Sequence, residues 1–113
     1  MNRTVSRKIE EHLTEHLLKT AREAGWPCIG YDYTDGFMEA VDDSSTLKTC
    51  LNTDEIVLFF RSTENGKEAW ASLIYGNGCV DPISDYLCVS GFEQLVMDKM
   101  GSYAENITDK MFS

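Results

Sequence analysis

Residues 54–86, DEIVLFFRSTENGKEAWASLIYGNGCVDPISDY, decide the fold of this 113-residue chain. Asn65-Gly66 and Asn77-Gly78 stand between runs of apolar residues, and Asn-Gly is the strongest short-range signal for a β-hairpin. The stretch therefore predicts three antiparallel strands joined by two tight turns. Because Pro82 cannot donate to a strand ladder, we expect the third strand at an edge or a bulge, with residues 83–87 as its ordered part.

A two-residue turn at Asn65-Gly66 determines how the first two strands pair. The predicted pairs are Ile56 with Tyr75, Leu58 with Leu73 and Phe60 with Ala71 on one face, and Val57 with Ile74, Phe59 with Ser72 and Arg61 with Trp70 on the other. The first face is expected to carry the core. The second is half apolar and is predicted to be a contact surface, unless the N-terminal helix or the C-terminal tail covers it.

Helical patterns flank these strands. Residues 3–24 carry an apolar residue every three or four positions, and Gly25 is typical of a helix C-terminus. Asp42-Asp43-Ser44-Ser45 is typical of a helix start and predicts a short helix over residues 45–51. Ser90-Gly91-Phe92-Glu93 has the pattern of a capping box, so a third helix is expected to begin there and stop at Gly101. Residues 102–113 have a faint helical pattern and are expected either to form a flexible tail or to dock on a partner.

The segment around Thr34-Asp35-Gly36 predicts a further hairpin, between strands over residues 28–33 and 37–41. The expected fold is a single α+β domain over residues 1–113. It has an antiparallel meander sheet of four to five strands. An N-terminal helix, a short middle helix and a C-terminal helix are expected to pack mainly on one face of that sheet.

The formal net charge is −9 and is unevenly distributed. Residues 1–25 carry a balance of +1, residues 26–64 of −6 and residues 65–113 of −4. Direct nucleic-acid binding is disfavoured, because neutralising phosphates requires clustered Lys and Arg. A protein partner with a basic surface suits this charge. No apolar run approaches a membrane span and the N-terminus lacks a signal-peptide pattern, so we expect a cytoplasmic protein.

Motifs for catalysis, cofactors or metals are weak in this sequence. The four cysteines form no C-x-x-C pair and are expected to be small buried hydrophobic residues. His12 and His16 have a spacing that can chelate a metal, but Leu13 replaces the general base of the H-E-x-x-H motif. There is no nucleophile motif and no Gly-rich phosphate loop. We therefore predict no catalytic residue, no cofactor and no enzyme activity, and a small metal enzyme using His12 and His16 is the least favoured alternative.

The acidic residues between positions 32 and 55 are the main candidate for a functional surface. Carboxylates along strand and loop edges can imitate the charge of DNA phosphates, although net negative charge also simply keeps small proteins soluble. Trp and Arg are residue types that concentrate binding energy. The predicted partner-binding residues are Asp32, Asp35, Asp42, Asp43, Asp54, Phe59, Arg61, Trp70 and Asp85.

Residues 69–78, AWASLIYGNG, followed by Pro82-Ile83-Ser84-Asp85-Tyr86, resemble a group of small phage and prophage proteins that carry a Y-G-N turn and then an I-S-D-Y segment. Asn52-Thr53-Asp54-Glu55 and Gly25-Trp26 fit the same layout. The chain differs from the group at Asp81-Pro82, where valine is expected. The group has no established activity, so the resemblance implies a phage origin, and a host-cell cytoplasm, but no catalytic residue.

These observations predict a small acidic phage-type binding protein that inhibits a host defence or nucleic-acid-processing protein. Inhibition of the anti-CRISPR or anti-restriction type, by DNA mimicry, is one form of this prediction. The alternative is a structural or regulatory phage accessory protein without enzymatic activity. Such a protein would self-associate as a homodimer through the exposed sheet face.

Overall fold

The computed structural model describes the backbone of residues 3–33, 36–75, 82–87, 89 and 91–112, and the side chains of all but the first four and last six of these. The elements are α1 (Arg3–Glu23), β1 (Cys28–Asp32), β2 (Phe37–Glu39), α2 (Asp43–Leu51), β3 (Glu55–Arg61), β4 (Glu68–Ile74), β5 (Ile83–Tyr86), a π-helical turn (Glu93–Met97) and α3 (Asp98–Phe112). The sheet is antiparallel with strand order β2-β1-β3-β4-β5. The predicted α+β class is confirmed.

Helix α1 ends where the sequence predicts. The amide of Trp26 donates to the carbonyl of Ala21 at 2.7 Å, and the amide of Gly25 donates to Arg22 at 3.1 Å. These two bonds form a Schellman motif, and Gly25 has the positive φ of +85° that the motif requires. The apolar stripe of α1 is buried. Because the apolar residues recur at the helical spacing, they lie on one side of α1, and the helix packs against the sheet through that side.

The core lies between the helices and one face of the sheet. Every second residue of β3 and β4 is buried, each at most 2% exposed: Ile56, Leu58, Phe60, Ala69, Ala71 and Leu73. These side chains form one cluster with Leu13 and Leu17 of α1 and with Phe92. The Phe92 ring lies 5.1 Å from that of Phe60 and 5.4 Å from that of Trp26, measured between centroids.

The predicted register of β3 and β4 is wrong by two residues. Leu58 lies opposite Ala71, and Phe59 lies opposite Trp70. The cause is a longer turn, because Ser62 pairs with Lys67 (Ser62 N to Lys67 O, 2.8 Å) and four residues lie between them. A shift of two leaves every side chain on its predicted face. The Asn77-Gly78 turn lies outside the described residues.

The prediction that β5 lies at an edge of the sheet or at a bulge is confirmed in both respects. The strand lies at an edge of the sheet, and its pairing with β4 is irregular between Ser72 and Leu73. The carbonyl of Pro82 still accepts a hydrogen bond from Ile74 at 2.8 Å. Helix α2 begins at Asp43, two residues before the predicted start, and the hairpin strands β1 and β2 are shorter than predicted.

The prediction that the third helix stops at Gly101 is wrong. The chain continues as helix through Gly101 to Phe112. Tyr103 packs against α1, and its ring stacks on that of His16 at 3.7 Å between centroids. Ser90 of the predicted capping box lies outside the described residues. The amide of Glu93, which the box assigns to the Ser90 hydroxyl, donates to the carbonyl of Val89 at 3.0 Å.

None of the described helices is both long and apolar enough to cross a membrane. Two of the four cysteines, Cys28 and Cys50, are described; both are buried and free, as predicted. Burial raises the pKa of the Cys28 thiol to about 11 and that of Cys50 to about 12. Both thiols are therefore protonated at neutral pH. Cys79 and Cys88 lie outside the described residues.

Candidate binding surface on the open face of the sheet

The face of the sheet turned away from the helices is called the open face below. Its residues follow from strand alternation and from the register of the five strands. They are Gly30, Asp32, Phe37, Glu39, Glu55, Val57, Phe59, Arg61, Glu68, Trp70, Ser72, Ile74 and Asp85. Its apolar side chains at the centre of the sheet, Val57, Phe59, Trp70 and Ile74, are half-buried. These four side chains remain partly exposed to solvent, whereas their neighbours on the core side are buried.

Three aromatic rings lie in a row across the open face. Phe59 of β3 lies directly opposite Trp70 of β4, and the ring of Phe37 lies 5.6 Å from that of Phe59. Phe37 reaches Phe59 across β1 because Gly30 lies between them without a side chain. A Cβ atom at Gly30 would lie 2.2 Å from Cζ of Phe37. The glycine therefore allows the aromatic row to continue from β2 to β4.

Carboxylates surround this aromatic row. The open face carries five of them, on Asp32, Glu39, Glu55, Glu68 and Asp85, against one guanidinium. Arg61 lies 3.5 Å from Oε2 of Glu68, and both side chains are more than half exposed. Exposed ion pairs of this kind are weak and break easily, so Glu68 remains accessible to another cation. The formal balance of the face is −4.

The structure brings together five of the nine predicted partner-binding residues. Asp32, Phe59, Arg61, Trp70 and Asp85 share the open face. Asp85 lies at its edge, where Oδ1 accepts a hydrogen bond from the amide of Tyr86 at 2.9 Å. Asp35 lies outside the described residues.

The remaining predicted acids lie elsewhere, and two have structural partners. Asp42 is the N-cap of α2, and Oδ1 accepts a hydrogen bond from the amide of Ser45 at 2.7 Å. This bond lowers the pKa of the Asp42 carboxyl below its usual value. Asp43 forms a bidentate pair with Arg22, at 2.8 and 2.9 Å. Asp54 is exposed between α2 and β3. The predicted acids therefore do not form one continuous surface.

Sequence reasoning did not identify Phe37 as part of the surface. Its place depends on β1 lying between β2 and β3, which the sequence alone does not establish. A glycine inside a strand was the available signal, because Gly30 indicates a close approach of another group. In the sequence, Glu39 and Glu55 are only members of the acidic set between positions 32 and 55, whereas the register places them on the same face as Trp70.

Other candidate sites are less developed in the described part of the chain. No three His, Cys, Asp or Glu side chains there lie close enough together to hold a metal ion. His12 is exposed, and His16 is stacked on Tyr103. A cavity of about 400 Å³ beside Cys28 and Ala40 includes Arg22, but that guanidinium is already paired with Asp43. The raised pKa of Cys28 makes its thiol a poor nucleophile.

Comparison of the chain with protein-family models, with curated proteins and with solved structures finds no significant match. The resemblance of residues 69–86 to small phage proteins therefore stays a prediction.

Proposed function

We propose that this protein is a non-enzymatic binding protein that attaches through its open face to a basic surface of another protein. The observation that carries the proposal is the row of Phe37, Phe59 and Trp70 within a rim of five carboxylates. Apolar centres with charged rims are the usual anatomy of protein interfaces. Aromatic residues at such centres commonly supply most of the binding energy.

The chemistry of the face favours arginine and lysine side chains in the partner. A guanidinium placed over an aromatic ring gains roughly 0.5–2 kcal/mol, depending on how far it is desolvated. Glu55 and Glu68 lie on the same face as the rings and can accept hydrogen bonds from such a cation. The acidic rim also attracts a basic partner at long range, which raises the association rate and makes it dependent on salt.

The same charges disfavour two other uses of the open face. Nucleic acid would be repelled, since its phosphates need cationic neutralisation. Two copies of the chain meeting face to face would bring together two surfaces of formal balance −4. Self-association of the accessory-protein kind would therefore have to use another part of the molecule.

The more specific form of the proposal is a phage-encoded inhibitor of a host defence or nucleic-acid-processing protein. Such targets hold nucleic acid on basic surfaces, which the open face complements in charge. The phage origin is supported by the resemblance of residues 69–86. In a DNA-mimic version, the carboxylates of Asp32, Glu39 and Glu55 replace phosphates. Asp42 and Asp43 are assigned no part, because α2 and Arg22 already engage them.

Capture from bacterial lysate at low and moderate salt, with and without duplex DNA, tests the proposal. The captured protein is purified and titrated with wild-type protein and variants. We expect Trp70→Ala to weaken binding roughly thirtyfold or more, the effect of a residue that contributes about 2 kcal/mol. We also expect salt and DNA to displace the partner.

A matched pair of charge reversals provides the control. Glu55→Lys and Asp54→Lys change adjacent residues and alter the net charge equally. Glu55 lies on the open face, whereas Asp54 precedes β3 and its carbonyl accepts the amide of Tyr75. We expect a clear loss of affinity only for Glu55→Lys. Equal affinities of these two variants, with Trp70→Ala unchanged, would contradict the use of this face.

A further inference from the structure

The two edge strands of the sheet, β5 and β2, differ in how well their backbone is protected from pairing with another strand. Strand β5 follows Pro82, and its pairing with β4 is irregular between Ser72 and Leu73. The amide of Tyr86 already donates to Oδ1 of Asp85 at 2.9 Å, so an incoming strand would have to displace that hydrogen bond. Proline and a bulge are devices by which proteins prevent strands from adding to a sheet.

Strand β2 forms the other edge and is far more open. Its three described residues include no proline, and all three side chains are exposed. Phe37 and Met38 are each 52% exposed, and Val41, just beyond the strand, is 87% exposed. An edge strand that exposes large apolar side chains is a site for pairing with another chain.

The hydrogen-bond alternation shows which backbone groups of β2 face outward. The amide of Ala40 donates to the carbonyl of Ile29 at 3.0 Å, so Ala40 and, two residues earlier, Met38 direct their backbone groups toward β1. Phe37 and Glu39 then direct their N–H and C=O groups away from the sheet. No described residue bonds to those groups.

We infer that a second copy of this chain pairs with β2, antiparallel and about a two-fold axis at Met38. The two five-stranded sheets then join into one. In this register Met38 lies opposite the partner's Met38, and Phe37 lies opposite the partner's Glu39. Since Phe37 and Glu39 both direct backbone groups outward, each such pair exchanges two hydrogen bonds.

Charge and hydrogen bonding together select this register. An axis at Glu39 would place that carboxylate opposite the partner's Glu39. Like charges directly opposite are destabilising. An axis at Phe37 would pair only one of the three residues of β2 with the partner's β2. Registers shifted by one residue would match outward-facing groups with inward-facing ones. The strand is therefore complementary to itself at Met38, which favours a second copy over an unrelated strand.

The pairing also extends the candidate binding surface. Phe37 and Glu39 belong to the open face, so the partner's Glu39 would lie beside Phe37 at the seam between the two sheets. The dimer would present two aromatic rows in one continuous face. The inference depends on the edge backbone of β2 and does not require that the open face binds a basic protein.

Sedimentation equilibrium over a wide range of protein concentration tests the dimer with two variants of one residue. Glu39→Pro removes the outward N–H and leaves the β1–β2 hydrogen bonds in place, whereas Glu39→Ala removes only the side chain. The proline is present in both copies of the dimer, so it removes two interface hydrogen bonds. We therefore expect Glu39→Pro to raise the dimer dissociation constant roughly a hundredfold. Glu39→Ala should stay close to wild type. A monomeric wild type, or equal dimerisation of the two variants, would overturn the inference.

Disulfide trapping tests the register itself, in a background with Cys79→Ser and Cys88→Ser. Directly opposite residues at a non-hydrogen-bonded pair have Cα atoms about 4.5 Å apart, within reach of a disulfide. Met38→Cys should therefore oxidise to a covalent dimer. The two Val41→Cys residues would lie about 20 Å apart at about 3.4 Å per residue and should not link. Failure of Met38→Cys to link, or equal linking by Val41→Cys, would contradict the Met38-centred pairing.

Discussion

The hydroxyl of Thr14, in the middle of α1, lies 2.7 Å from the phenol oxygen of Tyr75, the residue after β4. Thr14 is 1% exposed and Tyr75 5% exposed. The Thr14 hydroxyl donates to the carbonyl of Glu10 at 2.8 Å, so the phenol donates to Thr14. Burial raises the pKa of Tyr75, which keeps the phenol protonated and able to donate. This bond joins the middle of α1 to the C-terminal end of β4.

Removing either partner of this bond should lower stability by different amounts. Thr14→Val removes the hydroxyl that accepts from the buried phenol and should reduce the free energy of unfolding by about 1–3 kcal/mol. Tyr75→Phe removes the donor while Thr14 keeps its bond to Glu10, and should cost about 1 kcal/mol. Urea unfolding of both single variants and the double variant measures the coupling. Additive losses would show that the two hydroxyls do not interact.

Gly30→Ala should disturb the aromatic row of the open face. The new Cβ would lie 2.2 Å from the Phe37 ring and 2.6 Å from the carbonyl of Met38, and such overpacking typically costs about 1–3 kcal/mol. Gly101→Ala is the control, since a Cβ there meets nothing within 4 Å. Alanine in place of a helical glycine should stabilise by roughly 0.5–1 kcal/mol. Thermal unfolding compares the two. A neutral Gly30→Ala would show that the Phe37 ring does not rest on β1.

Acidification should weaken the contact between α1 and α3 at His16. Burial, and then the charge of Lys19, lower the pKa of His16 from its ordinary value of 6.5. Because the unfolded chain takes up the proton first, stability should fall as pH drops below about 6.5 and through the folded-state pKa. His16→Phe keeps an aromatic ring against Tyr103 and should lose less stability than wild type across this range. A matching pH dependence in both proteins would exclude His16 as the cause.

The role of Asp42 should be structural rather than partner-binding. Asp42→Asn keeps an oxygen that can accept from the amide of Ser45, so its melting temperature should stay near that of wild type. Asp42→Ala removes the cap and should melt at a lower temperature. Both variants should bind the partner of the open face as wild type does. Weakened binding by Asp42→Asn would show that the Asp42 carboxylate contributes to partner binding.

Cys28 and Cys50 should resist thiol reagents in the folded protein. Their thiols are buried, and their pKa values of about 11 and about 12 leave almost no thiolate at neutral pH. In a Cys79→Ser, Cys88→Ser background, we expect no modification by a chromogenic disulfide until denaturant is added. Rapid labelling of the native variant would show that one of these thiols is accessible.

The sequence was sufficient for the elements and their faces because those depend on local patterns. Alternation in β3 and β4 predicted which residues are buried, and a wrong register did not change this. The register itself depended on the turn, where Ser62 Oγ accepts from the amides of Glu64 and Asn65 and supports a longer loop. Gly101 does not stop the helix, because an exposed glycine costs a helix only about 1 kcal/mol and packing can outweigh that cost.

The candidate surface was predictable only in part, because some of its residues come together through contacts between distant segments of the chain. Phe59 and Trp70 follow from alternation within one hairpin. Phe37 joins them through the order of three strands, and Asp43 is lost to Arg22, which lies 21 residues earlier in the chain. Contacts between distant segments of this kind have no local pattern in the sequence.

The order of the strands also has a consequence for how the chain folds. β3 and β4 adjoin in sequence, so their pairing closes only a short loop. β1 is separated from β3 in the sequence by β2 and α2, and it pairs with the edge of β3 opposite to β4. Because closing a longer loop costs more entropy before any contact forms, we expect the β3–β4 hairpin to organise early and the β1–β2 hairpin to join late. The edge that is open in the finished molecule would then be the last part of the sheet to be completed.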